Sequence, residues 1–307
     1  MKRWGWALVG MLWAVAGWAA QEVHPPPVVW VPSFREAAEA ERIIAATRAV
    51  PVVRRVALVS QFFLGRKYHP ETKARMKKEA ARPRTKAEAA NPHPLPVETL
   101  PTSLQFLDCM TYVEHVLALA SADRPDYAGA FLPRLVDVMY DAAGAPLMNH
   151  LRSHFTSAWG DVLERKGYLR NMARGHPAAV KRELVLNRVG ANRTFYVEDR
   201  FTIAQRPQVM WYFPLAAVFA RKAPLANGDV LALACEKEGL DVLHMGFFIE
   251  QKGKRLLRHA SSKLNRIIEE DLDGYLRNRK GVVGLMVWRP RLAAPAPPRY
   301  RFAPRGR

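Results

Sequence analysis

The 307-residue sequence predicts an α+β fold, and two observations carry that expectation. Down to about residue 172 the apolar residues recur at helical spacing, whereas from residue 228 they fall into short runs separated by Gly and charged turns. Helical patterns followed by a block of strands are the mark of helices segregated against an antiparallel sheet.

The opening MKRWGWALVGMLWAVAGWAA places Lys2 and Arg3 before an apolar run over residues 4–15, with Gly17, Ala19 and Ala20 behind it. Residues 1–20 are therefore expected to be a secretory signal peptide, cleaved near Gln21, and the protein periplasmic or secreted. The run is at the short edge of what crosses a bilayer, so no stable membrane insertion is expected after cleavage. Residues 21–50 read as a Pro-rich lead-in, HPPPVVWVP, and a helix through Thr47 opened by a capping box of Ser33 and Glu36. A second helix follows over 52–64, stopped by Gly65. Residues 66–101, rich in Lys, Arg and Pro, read as a basic surface insertion.

Asp108 is the expected N-cap of a helix through Ala120, with Met110, Val113 and Leu117 on one stripe. Further helices are expected over 128–142 and 159–172, then strands over 229–235, 243–250, 255–260 and 282–288 forming a small antiparallel sheet. The tail 291–307, RLAAPAPPRYRFAPRGR, is expected to be disordered.

Lys plus Arg number 47 against 28 Asp plus Glu, a net charge of +19, which favours a polyanionic neighbourhood. Export argues against an intracellular nucleic-acid partner, and no nucleic-acid reader motif accompanies the charge. Anionic lipid and acidic cell-wall polymer both fit the charge. The two cysteines, Cys109 and Cys235, lie in segments of different type, and no disulfide between them is expected.

Cys109 sits directly behind the N-cap, where unpaired backbone N–H groups and the helix dipole favour a thiolate and could receive an oxyanion. An inert buried cysteine is the competing reading. In LHMGFFIE, His244 and Gly246 share one strand face, and His259 in RLLRHASS lies on the next strand. Adjacent strands are about 4.8 Å apart, so one histidine can orient the other as base to a nucleophile. His150 and His154, spaced i and i+4, lack the glutamate of a metalloprotease pair, so neither metal nor cofactor is expected.

Three blocks, LDCMTYVEHVLALA, GDVLALACEKEGLDVLHMGFFIE and LLRHASSKLNRIIEEDLDGYLRNRKGVVGLMVWRP, resemble successive segments of the DUF1460 family, a branch of the NlpC/P60 cysteine peptidases. The resemblance implies a papain-like catalytic domain over residues 51–290, with Cys109 as nucleophile, His244 as general base and His259 as its orienter. It also implies a site-lining role for Tyr68 in FLGRKYHP, and substrate-side or structural roles for Arg152 and Trp159 in MNHLRSHFTSAW. The implied activity is that of an N-acetylmuramoyl-L-alanine amidase acting on peptidoglycan fragments. The alternatives are an endopeptidase cutting within the stem peptide and a non-catalytic cell-wall binding protein.

Overall fold

The computed structural model describes residues 26–69, 99–188 and 205–304. The expected signal peptide and its cleavage point lie outside the described residues, as do residues 70–98 of the basic insertion. In chain order the helices are α1 (Ala37–Thr47), α2 (Val52–Gln61), α3 (Cys109–Ser121), α4 (Leu132–Met139), α5 (Thr156–Arg165), α6 (Leu215–Phe219) and α7 (Leu272–Asn278). The strands are β1 (Val28–Val31), β2 (Lys67–Tyr68), β3 (Phe106–Leu107), β4 (Leu169–Asn171), β5 (Val180–Leu186), β6 (Arg206–Pro214), β7 (Val230–Cys235), β8 (Val242–Gln251), β9 (Lys254–Ser261), β10 (Arg266–Asp271), β11 (Val282–Pro290) and β12 (Arg301–Pro304).

Among the described residues, ten strands form one sheet in the order β3-β2-β10-β9-β8-β7-β11-β6-β5, with β4 beside the end of β11. All its pairs are antiparallel except β2 with β3. The sheet is thus larger than expected and starts earlier. β5 precedes residue 228, and its side chains are exposed or half-buried apart from Leu186, so it carries little of the apolar alternation that marks a strand.

Helix α3 is buried from Met110 to Ala120, on every side rather than along one stripe, as befits a helix whose sequence is apolar nearly all round. It packs on α1, α2 and α4 and against β8 and β9, and with them encloses the main core. The opposite sheet face, with Leu231, Leu233, Phe248, Leu257 and Leu285, is covered by Val218 of α6 and by Leu272 and Leu276 of α7.

Three local expectations are corrected. The Ser33–Glu36 capping box does not form: Glu36 is the N-cap residue of α1 but its carboxylate accepts from the Leu104 N–H and the Ser103 hydroxyl, tying α1 to the segment before α3. The helix expected over 159–172 is α5, ending at Arg165, and Gly167 at φ +84° turns the chain into β4. The tail is not disordered through Pro304: β12 pairs in parallel with β1, in register from Val28 opposite Arg301 to Val31 opposite Pro304.

Candidate active site

The site begins at the first turn of α3. The Asp108 carboxylate accepts from the N–H groups of Met110 at 3.0 Å and Thr111 at 2.8 Å, and the Thr111 hydroxyl accepts from the Asp108 N–H at 2.9 Å. This reciprocal box fixes where the helix starts and makes Cys109 its first residue. It also occupies two of the N–H groups expected to receive an oxyanion. The Cys109 side chain is half-buried, and neither cysteine is in a disulfide.

The β8–β9 hairpin supplies the histidines. The β7–β8 register shifts between Ala232 opposite Met245 and Ala234 opposite Val242, so Leu243 and His244 together stand opposite Leu233. Such bulges re-aim a side chain. Gly246 then lets the strands close: a Cβ there would sit 2.5 Å from the Arg258 carbonyl oxygen and 2.8 Å from the His259 Cβ. With that space empty, His244 Nε2 lies 2.7 Å from His259 Nδ1, and the rings meet edge to face at 88°.

The network extends to a carboxylate. His259 Nε2 is 2.7 Å from Glu270 Oε2 on β10. His259 stands opposite Ile268, so Glu270, two residues on, is its diagonal neighbour on the same face. On the alternate positions Arg258 pairs with Glu269, the residue opposite it, and reaches the Ser60 hydroxyl of α2, pinning the hairpin to the helical layer.

An ionised carboxylate only accepts, so the hydrogen-bond order is determined from Glu270 inward. His259 donates its Nε2–H to Glu270 and accepts at Nδ1; His244 then donates its Nε2–H and carries its lone pair on Nδ1. Burial, then the positive fields of His259 and Arg279, push His244 down to about 3. Burial also lowers His259, with Glu270 opposing it. Burial thus favours the neutral form of each ring.

Tyr68 on β2 and Tyr275 on α7 flank the cysteine. Each phenol is raised above its ordinary value, first by burial, and the neighbouring Cys109 contributes to both. The Tyr275 ring lies 5.0 Å from that of His259. A cavity of about 440 Å³ opens here, lined by His244, His259, Glu270, Tyr275, Lys263 and Arg279 among others.

The structure thus gathers Tyr68, Cys109, His244 and His259 around one end of α3, and leaves two expected site residues elsewhere. Trp159 is wholly buried, donates its indole N–H to the Val138 carbonyl at 3.1 Å and packs edge to face on Trp288, so it has no face to offer a sugar. Arg152 is buried and paired at 2.9 Å with Glu114 inside the helical layer, so it is not available to a substrate carboxylate. His150 is exposed in the 3₁₀ turn Asn149–Leu151, and no cluster of three or more His, Cys, Asp or Glu suited to a metal occurs among the described residues. Cys235 is buried in β7, where burial raises its thiol.

Glu270, Tyr275 and Arg279 escaped the sequence reading. Glu270 was findable, since IIEED is the strand returning from HASS and its acids alternate across the two sheet faces. Tyr275 and Arg279 were not: they approach the histidines only because the short α7, capped by Asp271 on the Gly274 N–H, folds back against β9 and β10.

Fold and site define a mixed α+β protein that presents a helix-start thiol close to a buried, carboxylate-anchored histidine pair. Residues 58–282 match the AmiA-like family, described as N-acetylmuramoyl-L-alanine amidase-like, and the chain belongs to that family. No curated protein matches it. Among solved structures it is similar to an N-acetylmuramoyl-L-alanine amidase from Bacteroides uniformis, at 21% identity and TM-score 0.61, covering 77% of this chain and 98% of that one. It is also similar to a Legionella pneumophila protein of family DUF1460, at 19% identity and TM-score 0.61, covering 87% and 97%. A Bacteroides fragilis protein named as a candidate xylanase shares 24% identity at TM-score 0.58, covering 75% and 99%. Likeness at these identities speaks for the fold.

Proposed function

We propose that the protein is an exported cysteine hydrolase of peptidoglycan fragments, built on an NlpC/P60 papain-like core, that cleaves the amide between the lactyl group of N-acetylmuramic acid and L-alanine. The observation that carries this reading is the hydrogen-bonded order Glu270, His259, His244, which leaves a lone pair on His244 Nδ1, on a strand that packs against the helix beginning with Cys109. This order supports reading Cys109 as nucleophile, His244 as base and His259 as orienter. The family description supports the choice of bond.

In the first half-reaction Cys109 attacks the lactyl carbonyl carbon and its proton passes to His244 Nδ1. The tetrahedral intermediate collapses as the C–N bond breaks, and the same proton goes to the nitrogen of the departing L-alanine. The acyl group remains as a thioester on Sγ. In the second half-reaction His244 takes a proton from water, the hydroxide adds to the thioester, and the C–S bond breaks with the proton returned to sulfur. His259, held by Glu270, keeps His244 in the tautomer that both steps need.

Digestion of an intact muropeptide read by mass spectrometry tests the reading. The expected products are free sugar and a peptide beginning with L-alanine, with sugar-free stem peptide left uncut. Sugar still attached to a shortened stem would establish the endopeptidase instead.

A further inference from the structure

The cavity beside the histidine pair contains more charge than the hydrolysis steps use. Two acids and two bases line it: Glu270 and Asp271, Lys263 and Arg279. Both acids are committed within the protein, Glu270 to His259 Nε2 at 2.7 Å and Asp271 to the Gly274 N–H at 2.7 Å. The bases are not matched in this way. Among the described residues no carboxylate lies within ion-pair distance of Lys263 or Arg279, although this chain satisfies many of its other arginines with acids, including Arg258, Arg255 and Arg289. The Arg279 guanidinium is 5.9 Å from the Tyr275 ring, which borders both the cavity and Cys109.

We infer that Arg279, with Lys263 lining the same cavity, forms a carboxylate-binding subsite that reads the acidic residue of the substrate's stem peptide. The inference rests on the proposed action on muropeptides, and deepens it by naming the group recognised. A guanidinium pairs with a carboxylate through two parallel N–H···O bonds, and a carboxamide at the same place offers it only one acceptor oxygen and no charge. A cavity of about 440 Å³ suits one or two residues of stem beside the scissile bond. Occupation of the subsite also bears on the reacting groups. The Arg279 charge disfavours protonation of both His244 and His259, and a bound carboxylate offsets that charge when His244 must accept a proton.

Two muramyl dipeptides that differ by one charge test the subsite: N-acetylmuramyl-L-alanyl-D-isoglutamate and its D-isoglutamine counterpart. The wild-type protein is expected to favour the isoglutamate form in kcat/KM by about 10-fold or more, the worth of one charge-assisted pair. Arg279→Met should bring the ratio of the two substrates close to one, whatever its effect on the rate common to both, and Arg279→Lys should retain part of the preference. Arg279 is exposed, so its replacement leaves the core intact. Calorimetric binding of the same two compounds to the Cys109→Ala variant separates this inference from the amidase reading. Preferential binding of the acidic compound, lost with Arg279→Met, supports the subsite even if neither compound is cleaved, an outcome that overturns the amidase reading alone. Equal affinity for the two compounds, or a ratio that persists in an Arg279→Met/Lys263→Met double variant, overturns the subsite.

Discussion

At the scale of single residues the two cysteines have opposite surroundings. Cys109 is half-buried at the start of α3, while Cys235 is packed inside β7 with its Sγ 3.7 Å from the Leu240 carbonyl oxygen. Cys109→Ala is expected to remove amidase turnover to background, a loss of at least about 1,000-fold with melting unchanged, and Cys235→Ser to retain it. Comparable loss in both variants, with both folded, would sink the assignment of the nucleophile. Glu270 is a positioning residue in the same scheme. Glu270→Ala is expected to lower kcat by roughly 100-fold with little change in KM. The ring nitrogens read by NMR should also change: His244 passes from a single Nε2–H tautomer to a mixture. A loss of kcat without any change of tautomer would mean that Glu270 acts otherwise.

Elements explain why those residues meet. The hairpin of β8 and β9 brings two imidazoles within 2.7 Å only because Gly246 has no side chain where His259 must lie. Gly246→Ala is therefore expected to separate the strands locally, breaking the histidine pair and lowering kcat while the rest of the sheet holds. Backbone amide shifts confined to β8 and β9 would show it; full activity in that variant would contradict the packing argument. Elsewhere the helical layer depends on the buried pair of Arg152 with Glu114 and on Trp159 against Trp288. Removing either partner of a buried ion pair strands a charge, so Arg152→Ala should cost about 3–5 kcal/mol in urea denaturation, and Trp159→Ala a similar amount through its cavity. Their effect on KM should be small in whatever fraction remains folded. A large rise in KM with stability intact would restore the substrate-side roles expected for these two residues.

For the whole molecule the buried neutral histidines set the acid limit of stability. Burial lowers His115 to about 4 and His244 to about 3, from an unfolded value of 6.5. As pH falls below about 6.5 the unfolded chain binds protons that the folded chain refuses, so folded stability declines from there down to about 3 and is fully present above 6.5. His244→Gln should flatten part of that decline, measurable by denaturant titration at pH 7, 5.5 and 4.5. An unchanged slope would show that the His244 ring is not held neutral by the fold. The strand pair β1 and β12 acts at this scale too, since it joins the two ends of the described chain, and truncation after residue 300 should loosen both together.

How much of this was readable in the chain follows from the range of the interactions involved. The α+β class, the Asp108 N-cap that starts α3 at Cys109, and the four strands β7, β8, β9 and β11 rest on periodicity and on a local cap, all features that a linear pattern contains. The adjacency of His244 and His259 was readable as well, because a tight hairpin leaves few registers. Burial was not readable. Trp159 and Arg152 look like ligands for a sugar and a carboxylate until the helical layer closes over them, and only then is the charge of Arg152 answered by Glu114, 38 residues away. Tertiary structure alone likewise brought Arg279 to the histidines and paired β12 with β1 across nearly the full length of the described chain. Such contacts depend on which faces the core buries, and local spacing carries no record of that.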